Sequence, residues 1–180
     1  MPDRRHRGHT LAEMLTVCAV LAVAAAVALP SAQPVAEFRA DAAASEVTQA
    51  LRFARQEAMR SGAYRMLRCD PGQNRLSVYI PNAAGAVATL LKHPLSKMDY
   101  TIDLAQAPAG SNIALTGCSF QFADSSSAAT LAFDANGNPV RGTGDAATQI
   151  QPLRSGTILV GTGKVTRTVA VDLTGRVTTS

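Results

Sequence analysis

Apolar residues run from Leu11 to Leu29 with only Glu13 and Thr16 breaking 19 positions of hydrophobic character. About 20 such residues span the hydrocarbon core of a bilayer as a helix. Pro30 and Pro34 follow; each lacks a backbone donor and strains a helix, which predicts a bend just past the apolar segment. The spacing then turns three-to-four, with Val35, Phe38 and Ala42, then Val47, Ala50, Leu51, Ala54 and Ala58. Glu37, Arg39, Glu46, Arg52, Gln56 and Arg60 take the opposite face, the mark of an amphipathic helix. Ser61-Gly62 is a natural stop. The pattern predicts one long helix over 10–60, its first half in a membrane and its second half under a globular head. From residue 63 the period shortens, and strands are expected at 64–69, 76–80, 87–91, 113–122, 130–133, 157–160 and 165–171, with a further turn into 176–178. Gly, Pro, Asn and Ser clusters separate them. Segments 103–111 and 141–154 show no period and read as loops. A helix followed by a run of antiparallel strands is an α+β layout.

Charge sharpens the picture at the N-terminus. Arg4, Arg5 and Arg7 precede the apolar run, and nothing basic follows until Arg39. The positive-inside rule then keeps the N-terminus cytoplasmic and puts the bulk of the chain outside. A secretory signal cleaved within 22–28 is an alternative, but it leaves Glu13 unexplained. A carboxylate at the centre of a membrane helix costs roughly 2.5–3.5 kcal/mol on insertion scales. The formal charge is +4 over 180 residues. Residues 1–8 hold three arginines against one aspartate, so half of that excess lies in the leader. The balance is weak evidence for a nucleic-acid partner.

Arg7-Gly8-His9-Thr10-Leu11-Ala12-Glu13 and the apolar run after it resemble the type IV pilin superfamily. The family pattern is a short basic leader ending in Gly, then Phe-Thr-Leu-x-Glu and an apolar helix. Gly8 matches the leader's last residue and His9 stands at the usual Phe, while Thr10, Leu11 and Glu13 fall in register and Pro30 sits at the habitual bend. Residues 45–69, 131–139 and 169–177 are similar to the GspH/FimT branch of minor pilins and type II secretion pseudopilins. The resemblance implies a pilin-like fold, a long N-terminal helix packed on an antiparallel sheet head. It divides the chain into a cleaved leader (1–8), a transmembrane and assembly helix (9–30), a head-embedded helix (31–62) and a periplasmic head (63–180). It also implies cleavage and N-methylation at Gly8 and His9 by a prepilin peptidase, and assembly through Glu13. The expected place is the inner membrane, N-terminus cytoplasmic and head periplasmic, and then a pilus or pseudopilus. Partners would be other minor pilins or pseudopilins and the major pilin. The type IV pilus is the first reading, the H-type pseudopilin of type II secretion the second. A monomeric binding module merely anchored to the membrane is a third, of a different class.

Candidate chemistry is sparse elsewhere. In a periplasmic head, Cys69 and Cys118 are a disulfide candidate, two buried free thiols being the alternative; Cys18 reads as a small apolar residue. The histidines are His6, His9 and His93, too few and too scattered for a Ser-His-Asp device or a metal cluster, so neither an enzyme nor a cofactor is expected. Gly161-Thr-Gly163-Lys164 and Asp134-x-Asn136-Gly137-Asn138 both read as turns, not as phosphate or calcium loops. Lys164, Arg167 and Arg176, with Arg154 just before them, would engage the phosphates of double-stranded DNA if adjacent. Some FimT-type pilins take up DNA through a C-terminal Gly-Arg-x-Arg; Gly175-Arg176-Val177-Thr178 keeps its first arginine and lacks the second.

Overall fold

The computed structural model describes residues 10–28, 33–106, 112–143 and 149–180. Gly8, His9 and Pro30 lie outside the described residues. The chain divides into two compact units, Met1–Pro34 and Val35–Ser180.

In the first unit, α1 (Leu11–Ala28) exposes apolar side chains such as Leu11, Leu15, Val20 and Leu21. Among the described residues no helix is long and apolar enough to cross a membrane. The predicted segment 9–30 extends past the described part of α1 at both ends.

In the second unit, α2 (Gln33–Ser61) buries Ala40, Ala43, Ala44, Val47, Ala50, Leu51, Ala54 and Ala58 completely. The three-to-four spacing therefore made the right face. Val35 and Phe38, expected on that stripe, are exposed instead, because the core that the helix joins begins only at Ala43. Six of these eight fully buried positions are alanine, which brings the helix backbone close to the sheet and leaves the large volumes to the strands. Gly62 closes the helix at φ +64°, with the Ala63 amide donating to Ala58 O at 3.3 Å, a left-handed ending that glycine adopts without strain.

Among the described residues eleven strands follow: β1 (Arg65–Asp70), β2 (Arg75–Pro81), β3 (Val87–Leu90), β4 (Thr101–Asp103), β5 (Ala114–Phe122), β6 (Ser127–Ala128), β7 (Thr130–Phe133), β8 (Pro139–Arg141), β9 (Gln151–Gly161), β10 (Thr166–Val171) and β11 (Val177–Thr179). All pair antiparallel, in the order β11-β10-β9-β8-β7-β1-β2-β3. β4 continues the β3 edge of β2, and the β5–β6 hairpin pairs with β9. Two expectations are corrected. Asp103, expected to open a loop, ends β4, and of the expected loop 141–154 Arg141 ends β8 while 151–154 open β9. The polar opening of β9 is a strand because Gln151 and Pro152 pair with β8 while Leu153 and Ser155 pair with β5. Such partners do not show in local periodicity. The alternation of β5 and β9 then sends Phe120, Phe122, Leu153, Ile158 and Val160 inward onto the alanine face of α2.

Two links join β5 to the β1–β2 hairpin. Cys69 and Cys118 are disulfide-bonded, their Cα atoms 6.3 Å apart. Asn74, at φ 53°, donates from Nδ2 to Ile113 O at 2.8 Å and accepts the Leu115 amide on Oδ1 at 2.6 Å.

Candidate functional site

Thr10 opens α1. Its carbonyl accepts the Glu13 amide at 3.0 Å and its hydroxyl oxygen accepts the same amide at 3.3 Å. Thr10-x-x-Glu13 has the spacing of a capping box. Glu13 thus occupies the first turn, where the helix dipole favours an acid, on a segment otherwise apolar and exposed. That geometry holds one carboxylate at a fixed height on the helix.

The structure does not gather the predicted basic residues. Lys164 lies in the β9–β10 turn, where Thr162 Oγ1 accepts the amides of Lys164 and Val165 at 3.3 and 3.2 Å. Gly161 ends β9 there, and a Cβ on it would strike the Val165 carbonyl and the Thr166 Cα, so this glycine serves a hairpin. Arg176 follows the opposite end of β10, a strand of 6 residues, about 20 Å long at roughly 3.3 Å per residue. Arg167 is occupied: its Nε donates to Asp41 Oδ1 on α2. That hydrogen bond, with the Asp41 and Glu37 charges, holds the guanidinium pKa above its ordinary value.

A different arginine organises the C-terminal region. Asp134–Asn138 and Asp172–Arg176 form the same turn twice. In each, the aspartate Oδ1 accepts the amides two and four residues on: Asn136 at 2.9 Å and Asn138 at 2.8 Å, Thr174 at 2.8 Å and Arg176 at 2.9 Å. In each, the glycine amide donates to the aspartate carbonyl, at 2.9 Å for Gly137 and 3.0 Å for Gly175. Both glycines sit in the left-handed region, at φ +79° and +77°, as a turn of this kind requires. Arg55 on α2 grips both, its Nε donating to Gly137 O at 3.0 Å and its Nη1 to Gly175 O at 3.4 Å. The Thr174 hydroxyl, then the turn amides and more weakly Arg176, hold the Asp172 carboxyl below its ordinary range.

This clamp forms one wall of an open groove of about 440 Å³ between α2 and the Asp172–Arg176 turn. Arg52, Arg55 and Arg176 line it with Gln56, Met59 and Thr178, and no carboxylate is among the lining residues. Arg52 and Arg55 were not expected here. The recurrence of Asp-x-x-Gly at 134 and 172 was the available signal.

Another cavity, of about 550 Å³, is lined by His93, Tyr100, Glu46, Asp99 and Asp103 among others. His93 Nδ1 accepts the Leu95 and Ser96 amides at 3.3 Å each, and Asp99 pairs with Lys92 at 2.6 Å. The imidazole is a turn cap. Among the described residues no three His, Cys, Asp or Glu side chains are grouped to hold a metal ion.

Residues 43–175 match the family described as Type II transport protein GspH, and residues 3–29 match the Prokaryotic N-terminal methylation motif. No curated protein matches the chain in sequence. Among solved structures, the minor pseudopilin EpsH from the Type 2 Secretion System of Vibrio cholerae is similar at a TM-score of 0.51 and 16% identity, over 79% of this chain and 96% of that one. A second EpsH crystal structure gives a TM-score of 0.50 and 17% identity, over 78% and 92%. The type IV minor pilin FimU of Pseudomonas aeruginosa (strain PAO1) shares 19% identity over 78% of this chain and 87% of its own, at a TM-score of 0.49. The EpsH likeness shows the fold, a helix packed on an antiparallel sheet.

Proposed function

The chain belongs to the GspH family of type II transport proteins, and from that premise we propose that it is a non-enzymatic filament subunit, cut after Gly8 by a prepilin peptidase and assembled through its N-terminal helix. The observation that carries this is Glu13, the acid in the first turn of an exposed apolar helix, in register with the methylation motif. Cleavage after Gly8 frees an amino group on His9, four residues before Glu13. In a membrane neither charge is well solvated alone. Pairing the amine of one subunit with the Glu13 carboxylate of the next fixes the axial register of two packed helices.

Glu13→Ala removes the acid and keeps the apolar character. The variant is expected to insert and to be processed to a chain starting at His9, yet to be missing from sheared filaments on immunoblot. Normal incorporation, or a mature chain beginning elsewhere than His9, would overturn the reading. The filament in this reading is a type IV pilus; deletion should then reduce surface pili. Loss of protein secretion with pili intact would assign the chain to the type II secretion pseudopilus. Double-stranded DNA is not favoured as a partner, since Lys164 and Arg176 lie at opposite ends of β10 and Arg167 is paired with Asp41.

A further inference from the structure

We propose that the groove lined by Arg52, Arg55 and Arg176 docks an acidic protein segment presented by a neighbouring filament subunit. Three arginines line it and no carboxylate does. The acids of the clamped turns accept hydrogen bonds within those turns: Asp172 through Oδ1 from the Thr174 and Arg176 backbone amides and the Thr174 hydroxyl, and Asp134 from Asn136 and Asn138. Arg55 spends Nε and Nη1 on the turn carbonyls, and its Nη2 makes no hydrogen bond among the described residues. Arg52 makes none among the described residues, and both it and Arg176 are exposed. Clustered like charges repel one another, so an anion entering the groove relieves that repulsion and gains charge-assisted hydrogen bonds.

The surroundings distinguish a protein from a nucleic acid. Leu173, at the tip of the same turn, is 68% exposed, and Met59, 44% exposed, lines the groove. Arginine beside exposed methionine and leucine suits a protein interface better than a phosphate track. A duplex backbone also needs positive charge over many phosphates, and the groove offers three arginines. The occupant assigned is a segment with carboxylates next to an aliphatic side chain. The inference rests on the filament reading and adds a head contact to it.

Full-length protein in detergent micelles is titrated against a fluorescein-labelled peptide alternating leucine and glutamate, and separately against a short DNA duplex, by anisotropy. The peptide is expected to bind in a salt-sensitive, saturable way, with Arg52→Glu and Arg176→Glu each weakening it about tenfold. Lys164→Glu, outside the groove, changes it by about twofold or less. Absent peptide binding at low salt, equal binding by the groove variants, or tighter groove-dependent binding of the duplex overturns the proposal. In cells, a photocrosslinking residue at Leu173 is expected to capture a filament subunit at a mapped acidic segment. Crosslinks from position 13 without any from position 173 refute the docking groove and leave assembly standing, whereas loss of both removes the reading on which it rests.

Discussion

Arg55→Ala tests whether the twin turns are held by one side chain. The substitution deletes a 3.0 Å bond to Gly137 O and a 3.4 Å bond to Gly175 O. A hydrogen bond from a charged donor contributes about 1.5–3 kcal/mol, and the longer one lies at the weak end. Against this, Arg55 is only half-buried, so water recovers part of the loss at the freed carbonyls, and removing one of three neighbouring guanidinium groups relieves repulsion by a few tenths of a kcal/mol. The balance is a destabilisation of about 2 kcal/mol. For a unit of this size that lowers Tm by about 4–8 °C. The chain has 3 tyrosines and no tryptophan, and Tyr64, Tyr79 and Tyr100 all lie in the second unit. Tyrosine fluorescence of the full chain in micelles therefore follows the head alone. Arg52→Ala is the control, a groove arginine without such bonds, and should shift stability by no more than about 0.5 kcal/mol. Arg55→Lys keeps the charge but cannot fork to both carbonyls, and should recover less than half of the loss. If Arg55→Ala proves no more harmful than Arg52→Ala, the clamp carries no stability and the argument fails.

The disulfide should matter more than any single side chain. Cys69→Ala with Cys118→Ala opens a closed loop whose ends are 49 residues apart, and the chain-entropy relation gives a loss of about 4 kcal/mol, read as an earlier urea midpoint; an unchanged midpoint would contradict it. Two carboxyls should displace the pH dependence in opposite directions. Asp172 has a folded pKa below its ordinary 3.8, so its contribution is present above that value and disappears as the pH falls through the folded pKa. Asp172→Asn should thus be less stable than the parent at neutral pH, the gap closing in acid below about pH 3.8. Burial holds the Glu46 carboxyl above its ordinary 4.5, so the charged form disfavours folding at neutral pH. Glu46→Gln should then stabilise the head at neutral pH, and the gain should shrink as the pH falls through that raised pKa and be gone below about pH 4.5. Urea midpoints across the acid range decide both, and equal pH slopes in parent and variants would refute the assignments.

What the sequence made legible was whatever depends on local period or local chemistry. The buried stripe of α2 from Val47 to Ala58, its end at Ser61-Gly62 and the 130–133 strand all follow from spacing and turn residues. The first half of β9 did not, because Gln151-Pro152-Leu153-Arg154 carries no alternation of its own and becomes a strand through β8 and β5. The 3-residue strands β4 and β8 are too short to hold a period. Register also decided the fate of the basic cluster. Lys164, Arg167 and Arg176 lie within 13 positions of one another in sequence, but an extended strand separates the first and last by its whole length.

Arg55 shows why the candidate site was harder to read than the fold. On the helix pattern it is one polar residue at the margin of a buried face, with Ala54 and Ala58 beside it in the core. Its role depends on two turns, Asp134–Asn138 and Asp172–Arg176, that lie 82 and 120 residues away by the acceptors it reaches. The pI of 9.3 conceals a similar distinction. Arg60, Arg65, Arg75, Lys92, Arg141 and Arg167 each face a carboxylate in the folded head. Their charge is satisfied internally and offers little to a partner. Arg52 and Arg176 differ by position: α2 and the second turn bring them beside Arg55 in a groove whose lining holds no acid, with only the Asp172 charge acting on Arg176. Attraction to a partner comes from charge that the fold leaves unneutralised and holds together, which the net charge of the chain does not reveal.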